Sequence, residues 1–226
     1  MGLIAVVLLC TLVGGALQRV SGMGVGMIAA PAFTLLLGPA AGVSLSNAAA
    51  VVSAVLLTLV LRRDVDWHRF LRLAPLLVAG SLAGAWAVRV LDVAWLEVVL
   101  GASILVAIAA SLGLQRRLAV RGPGAALASG AVAGFMNTTA GVAGPALAVY
   151  AVASRWDQRS WAATLQPIFL LANVTSLTTK SLLGAAGLGA GVPVGVGAAV
   201  LVGVPSGILL GGRARESRRA RSWARP

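Results

Sequence analysis

The sequence predicts an all-α membrane protein: a polytopic bundle of transmembrane helices, with two inverted-topology repeats that contain broken or re-entrant helices. The 226 residues are 59% hydrophobic and only 11% charged, whereas a soluble domain of this size needs more charge to cover its surface. The apolar residues also form long runs, such as 43–61 and 97–114. About 20 such residues are enough to cross a bilayer. Similar glycine-rich interruptions in the two halves of the chain predict the repeats.

Nine apolar segments follow one another along the chain, separated by charged or helix-breaking residues. Gly38-Pro39 ends the second segment, because proline cannot continue a helix. Charged clusters at 62–72, 116–121 and 155–159 separate most of the later ones. The segments are 2–18, 21–38, 41–61, 71–90, 94–113, 123–136, 140–153, 162–184 and 190–212. Four tryptophans lie at segment edges, as is typical of the headgroup region of a membrane: Trp67, Trp95, Trp156 and Trp161.

The charge distribution predicts the orientation of the chain in the membrane. The net charge is +12, but the arginines lie in short loops and in the tail at 213–226, which favours a positive-inside pattern over nucleic-acid binding. Cytoplasmic loops at 62–72 and 116–121 place the N-terminus outside and the basic tail in the cytoplasm. The first segment has no basic residues before it, so we expect a retained span rather than a signal peptide.

Composition also argues against several kinds of chemistry. Cys10 is the only cysteine and His68 the only histidine, which leaves little material for a metal site or a catalytic triad. Apart from Glu97 near the start of the fifth segment, the apolar segments contain no carboxylate, which argues against a carboxylate proton relay, and the chain has no Walker motif. The sequence therefore predicts that the protein is not an enzyme and that it needs no cofactor.

A weak internal repeat relates the two halves of the chain. A shift of about 118 residues places Gly26 on Gly144 and Pro75 on Pro193. Repeat one covers about 2–90, a linking span covers about 94–113, and repeat two covers about 120–212. All three belong to a single transmembrane domain at 1–212. Because five segments separate corresponding points, the repeats would have opposite orientations, as in inverted-repeat transporters.

Each half contains a glycine-rich interruption where two short segments meet, at 18–26 and at 137–145. Glycine disfavours helix, and a broken helix leaves unpaired amides whose dipole attracts anions. Such paired breaks are typical of transporter sites. The candidate substrate-binding residues are Ser21, Gly22, Gly24, Gly26, Asn47, Asn137, Thr138, Thr139, Gly141, Gly144, Pro145 and Gln166. For any single glycine, close packing of helices is the alternative.

For several further polar residues, the sequence leaves two interpretations open. Asn47, Gln166 and Asn173 either bridge helices or contact a substrate. Lys180 is expected to snorkel to the membrane interface. Arg19 either attracts an anion or lies in a cytoplasmic turn. Each short pair of segments either spans the membrane twice or enters and returns, since both give an even number of crossings.

The two interrupted motifs resemble the TauE/SafE sulfite exporter-like proteins, also called the toluene sulfonate uptake permease family. The resemblance lies at 15–31, at 134–150 and in the polar residues at 156–159 and 164–166. It extends over most of the chain, including the charged loop at 64–67. The chain departs from the family pattern at Ala143, where the second motif often has glycine.

The resemblance implies a secondary permease of the bacterial inner membrane for a small anion such as sulfite or a sulfonate. Its partners would be the anionic substrate and the lipid bilayer, without nucleic acid, and a homodimer is left open. A non-transporting membrane scaffold or assembly subunit is the alternative. It predicts that no polar cavity reaches the middle of the bundle.

Overall fold

A computed structural model describes residues 2–111, 123–187 and 194–223. These residues form nine α-helices and one 3-10 turn, at Arg62–Asp64. The helices are α1 Gly2–Ser21, α2 Val25–Leu37, α3 Pro39–Leu61, α4 Trp67–Val90, α5 Val93–Ser111, α6 Pro123–Ala140, α7 Gly144–Ala153, α8 Gln158–Leu182 and α9 Val194–Trp223. The expectation of an all-helical protein is confirmed for the described residues, and each predicted apolar segment corresponds to one helix. The predicted cytoplasmic loop at 116–121 lies outside the described residues.

Helix boundaries differ from the apolar segments where a helix has a polar first or last turn. α4 begins after Asp66, which accepts a hydrogen bond from the Arg69 amide at 3.0 Å. α8 begins after Asp157, which accepts from the amides of Arg159 and Ser160, both at 3.0 Å. An aspartate at the N-cap satisfies first-turn amides that have no partner inside the helix. These capped turns are polar, so hydropathy alone placed the helix starts too late.

Four helical stretches are long and apolar enough to cross a membrane: Gly2–Ser21, Pro39–Asp64, Trp67–Val90 and Gly195–Ser217. The chain is therefore a multi-pass membrane protein of the helical kind. α2 and α7 are apolar but have only 13 and 10 residues, which is below the length of a span. With 25 residues, α8 is long enough, but it carries polar side chains along its length.

Glycines bring two pairs of helices into close contact. α6 packs on α4, where the α-carbon of Gly134 faces the Leu77 carbonyl and that of Gly80 faces the Ala131 carbonyl. α1 packs on α9, where Gly207 faces the Leu12 carbonyl. A side chain larger than hydrogen would force these backbones apart, as at small-residue interfaces of membrane helices.

The buried apolar side chains form two main clusters. One is built from α1, α2, α3 and α9 around Phe33, Leu57 and Val204. The other is built mainly from α4, α6, α7 and α8 around Leu77, Leu147 and Ile168. We refer to these helix groups as bundle A and bundle B. α3 and α8 pack against each other between the two clusters, so the polar residues of these helices lie where the bundles meet.

Candidate functional site

The first interruption separates α1 from α2 by three residues, Gly22, Met23 and Gly24. Gly22 has a φ of 89°, a conformation that favours glycine. No side chain caps the N-terminus of α2 at Gly24. Instead, the Val25 amide donates to Oε1 of Gln18 at 3.1 Å. The side chain of Gln18 therefore bridges the break from the preceding helix.

The second interruption has the same length and separates α6 from α7. Gly141 has a φ of 72°, and its amide donates to the Asn137 carbonyl at 3.0 Å. α7 then begins at Gly144 and Pro145, without a side-chain cap from Ala143. Proline is suited to a first turn because its missing N–H would have no partner in the helix.

The two interruptions contact each other between the bundles. A Cβ atom at Gly26 would lie 2.6 Å from the Gly141 carbonyl oxygen, and one at Gly144 would lie 2.5 Å from Sδ of Met23. The second break therefore packs against the first turn of α2, and the first break packs against the first turn of α7. The N-termini of α2 and α7 consequently converge on one point of the structure.

A small cavity of about 20 Å³ lies at this point. It has room for about one water molecule. Polar groups reach it from the side chains of Gln18, Asn137 and Asn173, each of which is at most 3% exposed. The other lining residues are Met23, Gly24, Gly26, Met27, Ala50, Gly141, Val142, Ala143, Gly144 and Phe169.

One face of α8 carries a row of buried polar side chains, at positions 166, 173, 176 and 180. These spacings of seven, three and four residues lie on one side of a helix. Nε2 of Gln18 donates to Oε1 of Gln166 at 2.9 Å, and Nδ2 of Asn137 donates to Oδ1 of Asn173 at 3.0 Å.

Further along the row, Nδ2 of Asn47 donates to Oγ of Ser176 at 2.8 Å, and Nζ of Lys180 lies 3.4 Å from the Thr138 carbonyl. The row extends about 21 Å along the helix axis, from Gln166 to Lys180. Its hydrogen bonds connect α8 to α1 at Gln166, to α6 at Asn173, to α3 at Ser176 and again to α6 at Lys180.

The structure brings five of the predicted site residues to the cavity: Gly24, Gly26, Asn137, Gly141 and Gly144. Two others lie within or directly after the breaks. Gly22 accepts through its carbonyl from Nε2 of Gln166 at 3.1 Å, and Pro145 is buried in the first turn of α7.

The remaining predicted residues do not line the cavity. Ser21 is exposed and donates to the carbonyls of Leu17 and Met23 at 2.8 and 2.6 Å. Thr138 and Thr139 lie beside Lys180 instead. Asn47 and Gln166 are both fully buried in contacts between helices.

Eight of the cavity residues were not among the predicted site residues, and three of them show which sequence signals exist. Gln18 was inside the first motif, and its amide could have been recognised as a cap for the break. For Asn173 the sequence left a helix contact and a substrate contact both open, although its spacing of seven from Gln166 places both residues on one helix face. Phe169 lies between them on the same face, and nothing in the sequence distinguishes it from a core residue.

The expectation that Lys180 snorkels to the interface is wrong. Its side chain is fully buried because the last turns of α8 are covered by α3, α4, α5 and α6, whose residues Pro39, Val88, Leu96 and Thr138 surround it. Hydropathy along the sequence gives no sign of this cover, since it comes from helices distant in the chain.

Arg19 lies in a second, wider cavity of about 260 Å³ at the other end of the polar row. Arg159, Arg215, Asp64 and Glu216 also line it, and Nε of Arg159 forms an ion pair with Asp64 at 2.9 Å. Ala162 lies in its wall and accepts through its carbonyl from Nε2 of Gln166. We refer to this wider cavity as the Arg19 vestibule. The Gln18–Gln166 pair lies between it and the small central cavity.

No cluster of three or more His, Cys, Asp or Glu side chains that could hold a metal ion occurs at 2–111, 123–187 and 194–223. The polar groups around the breaks are instead amides, hydroxyls, backbone N–H groups and one ammonium. These groups are suited to reversible binding of an anion.

A similarity to known proteins extends over almost the whole length of the chain. A family model described as Sulfite exporter TauE/SafE matches residues 7–222. No curated protein and no solved structure matches the chain. The match covers almost all of the chain, including both interruptions and the polar row of α8. The protein therefore belongs to the TauE/SafE sulfite exporter family and is a multi-pass helical membrane transporter.

Proposed function

We propose that the protein is a secondary permease for a small sulfur oxyanion, such as sulfite or a sulfonate, which binds where the two interruptions meet. The observation that carries this proposal is the contact between Gly26 and Gly141, one from each half of the chain. The family match supports a sulfur oxyanion as the substrate class. Membership in a transporter family argues against the alternative of a non-transporting scaffold.

The helix ends supply the attraction for an anion. α2 and α7 both begin at the cavity, and the positive end of each helix dipole lies at its N-terminus. The first-turn amides of Gly26 and Met27 have no acceptor within their own helix. The side-chain amide of Asn137 adds a neutral donor at the same point. Neutral donors bind an anion without the cost of burying a permanent countercharge.

The cavity is too small for the proposed substrate, so the structure corresponds to a closed state. A volume of about 20 Å³ holds one water molecule, whereas sulfite contains four heavy atoms. Binding requires the two bundles to separate. Because α1 packs on α9 and α4 packs on α6, we infer that bundles A and B are the bodies that move. Each bundle combines three helices from one half of the chain with one helix from the other half, which is α9 in bundle A and α4 in bundle B.

The orientation follows from charge. With 62–72 in the cytoplasm, the N-terminus lies outside and the basic tail, into which α9 continues, lies inside. The repeats at 2–90 and 120–212 then have opposite orientations, and the Arg19 vestibule faces the cytoplasm. Lys180 lies towards the outer side. We place the protein in the inner membrane of a bacterium.

Flux of radiolabelled sulfite into proteoliposomes tests the proposal. The wild-type protein should produce uptake above that of protein-free liposomes, and unlabelled sulfonates should compete if they share the site. Asn137→Leu removes a donor from the cavity and should reduce uptake at least about tenfold, which corresponds to the loss of one hydrogen bond to a charged group.

Gln158→Leu is the matched control, since it also replaces an amide but at an exposed position on α8. It should leave uptake unchanged. If folded wild-type protein transports neither sulfite nor any sulfonate, the proposed substrate class is wrong. If Asn137→Leu transports as well as the wild type, the site is not where the interruptions meet.

A further inference from the structure

Lys180 is a fully buried cation without a carboxylate partner among the described residues. Both ion pairs of the described chain lie elsewhere, between Arg69 and Asp66 and between Arg159 and Asp64. The Nζ atom of Lys180 donates to the Thr138 carbonyl at 3.4 Å. An ammonium group buried in a membrane protein without a countercharge is costly, so such a residue is expected to have a specific role.

Other polar atoms near Lys180 also lack partners. Oγ1 of Thr138 is buried without a hydrogen bond, and Thr138 lines the same pocket as Lys180. Oδ1 of Asn47 is likewise unpaired, while its Nδ2 donates to Ser176, which lies one turn before Lys180 on α8. Buried polar groups normally have partners. Their occurrence together predicts a further group that binds here in another state.

This pocket adjoins the central site. Thr138 follows Asn137, which lines the central cavity. A Cβ atom at Gly141 would lie 3.7 Å from Oδ1 of Asn47. Polar atoms therefore extend from the second interruption to Lys180. The pocket itself has no room for water in this closed structure, so it must open before a ligand can enter.

We propose that Lys180 and the hydroxyl of Thr138 form a second, outer binding site for the transported oxyanion. This inference depends on the proposed anion permease and adds a specific cation to it. When the bundles open on this side, the ammonium and the hydroxyl donate to the oxyanion. When the bundles close, as in this structure, the ammonium group contacts the Thr138 carbonyl at the end of α6. Charge-assisted hydrogen bonds of this kind are among the strongest in proteins.

A purely structural role is the competing explanation. Thr138 lies in the last turn of α6, and a cation near a helix C-terminus stabilises the helix dipole. A lysine that only stabilised this helix end would affect thermal stability without affecting the concentration dependence of transport. The two roles therefore differ in whether the KM for the anion changes.

Sulfite uptake by three variants in proteoliposomes separates these roles. Lys180→Met keeps the length of the side chain but removes its charge, and should raise the KM for sulfite about tenfold or more. Lys180→Arg keeps the charge and should recover part of this loss. Arg89→Met removes a charge at the exposed end of α4, one residue after the pocket residue Val88, and should leave the KM unchanged.

Two results would overturn the inference without affecting the proposed permease. One is sulfite uptake by Lys180→Met with the wild-type KM and only a lower melting temperature. The other, if Lys180→Met does not fold, is a Thr138→Val variant with an unchanged KM, since loss of this hydroxyl should raise the KM severalfold. Absence of sulfite and sulfonate flux in the wild-type protein would instead overturn both proposals.

Discussion

Asn137 and Asn173 form a hydrogen bond of 3.0 Å, from Nδ2 of the first to Oδ1 of the second. This bond joins the last turns of α6, just before the second interruption, to the middle of α8. Both side chains line the central cavity. Their contact therefore couples the broken helix pair to the polar row that extends along α8.

Replacing Asn173 by aspartate tests the sign of the charge that the cavity accepts. Asn173→Asp keeps the acceptor used by Asn137 and nearly the same shape, but it places a negative charge beside the anion. We expect the uptake of sulfite to fall at least about tenfold, since a charge near the middle of a membrane helix costs about 3 kcal/mol and repels the substrate. Gln158→Glu, at the exposed start of α8, is the control. Equal uptake by Asn173→Asp and the wild type would show that no anion approaches this residue.

Gln166 should contribute to stability because it satisfies several groups at the first interruption. Its Nε2 donates to the carbonyls of Gly22 and Ala162, and its Oε1 accepts from Gln18. Gln166→Leu leaves the buried Gly22 carbonyl without its donor. This should cost about 1–3 kcal/mol and lower the melting temperature in detergent. Gln158→Leu should have almost no effect. If the two variants melted at the same temperature, the Gln18–Gln166 pair would not hold the break.

The contact between α4 and α6 should tolerate no side chain at Gly134. A Cβ atom there would overlap the Leu77 carbonyl, so Gly134→Ala must push the helices apart at a cost of about 1–3 kcal/mol. We expect a lower melting temperature and a lower yield of monodisperse protein. Gly101→Ala is the matched control, because nothing lies within 4 Å of its Cβ position. A melting temperature of Gly134→Ala equal to that of the control would contradict the close packing of these helices.

The orientation can be measured with single cysteines. After Cys10→Ala removes the native thiol, Arg63→Cys reports on the loop before α4 and Val90→Cys reports on the end of α4; both positions are exposed. An impermeant maleimide added to intact cells should label position 90 but not position 63, and cell lysis should expose position 63. The reverse pattern would place the N-terminus and the basic tail on the opposite sides from those proposed.

Much of the fold could be predicted because it depends on local composition. The apolar runs identified nine helices, and the clustered glycines identified where two of them break. Gly22 and Gly141 have positive φ values, and glycine is the residue that adopts these values without strain. These features belong to short stretches of sequence and do not depend on which helices become neighbours.

The parts that the sequence did not reveal depend on contacts between distant residues. Gln18 meets Gln166 across 148 positions of the chain, and neither residue indicates its partner. Lys180 is buried because four other helices surround it, which hydropathy cannot detect. The packing of α1 on α9 and of α4 on α6 was also not predicted, since glycines such as Gly80 and Gly207 indicate close packing without identifying the neighbouring helix.

The most direct test of the central claim is a crystal structure with a bound oxyanion that carries a heavy atom. Selenite has the shape and charge type of sulfite, and its selenium atom gives an anomalous signal. Its use requires that it compete with sulfite for uptake. We predict an anomalous peak between the N-termini of α2 and α7, within hydrogen-bonding distance of the Gly26 amide or the Asn137 side chain. A peak found only in the Arg19 vestibule or at the protein surface, with the two interruptions still in contact, would contradict the account.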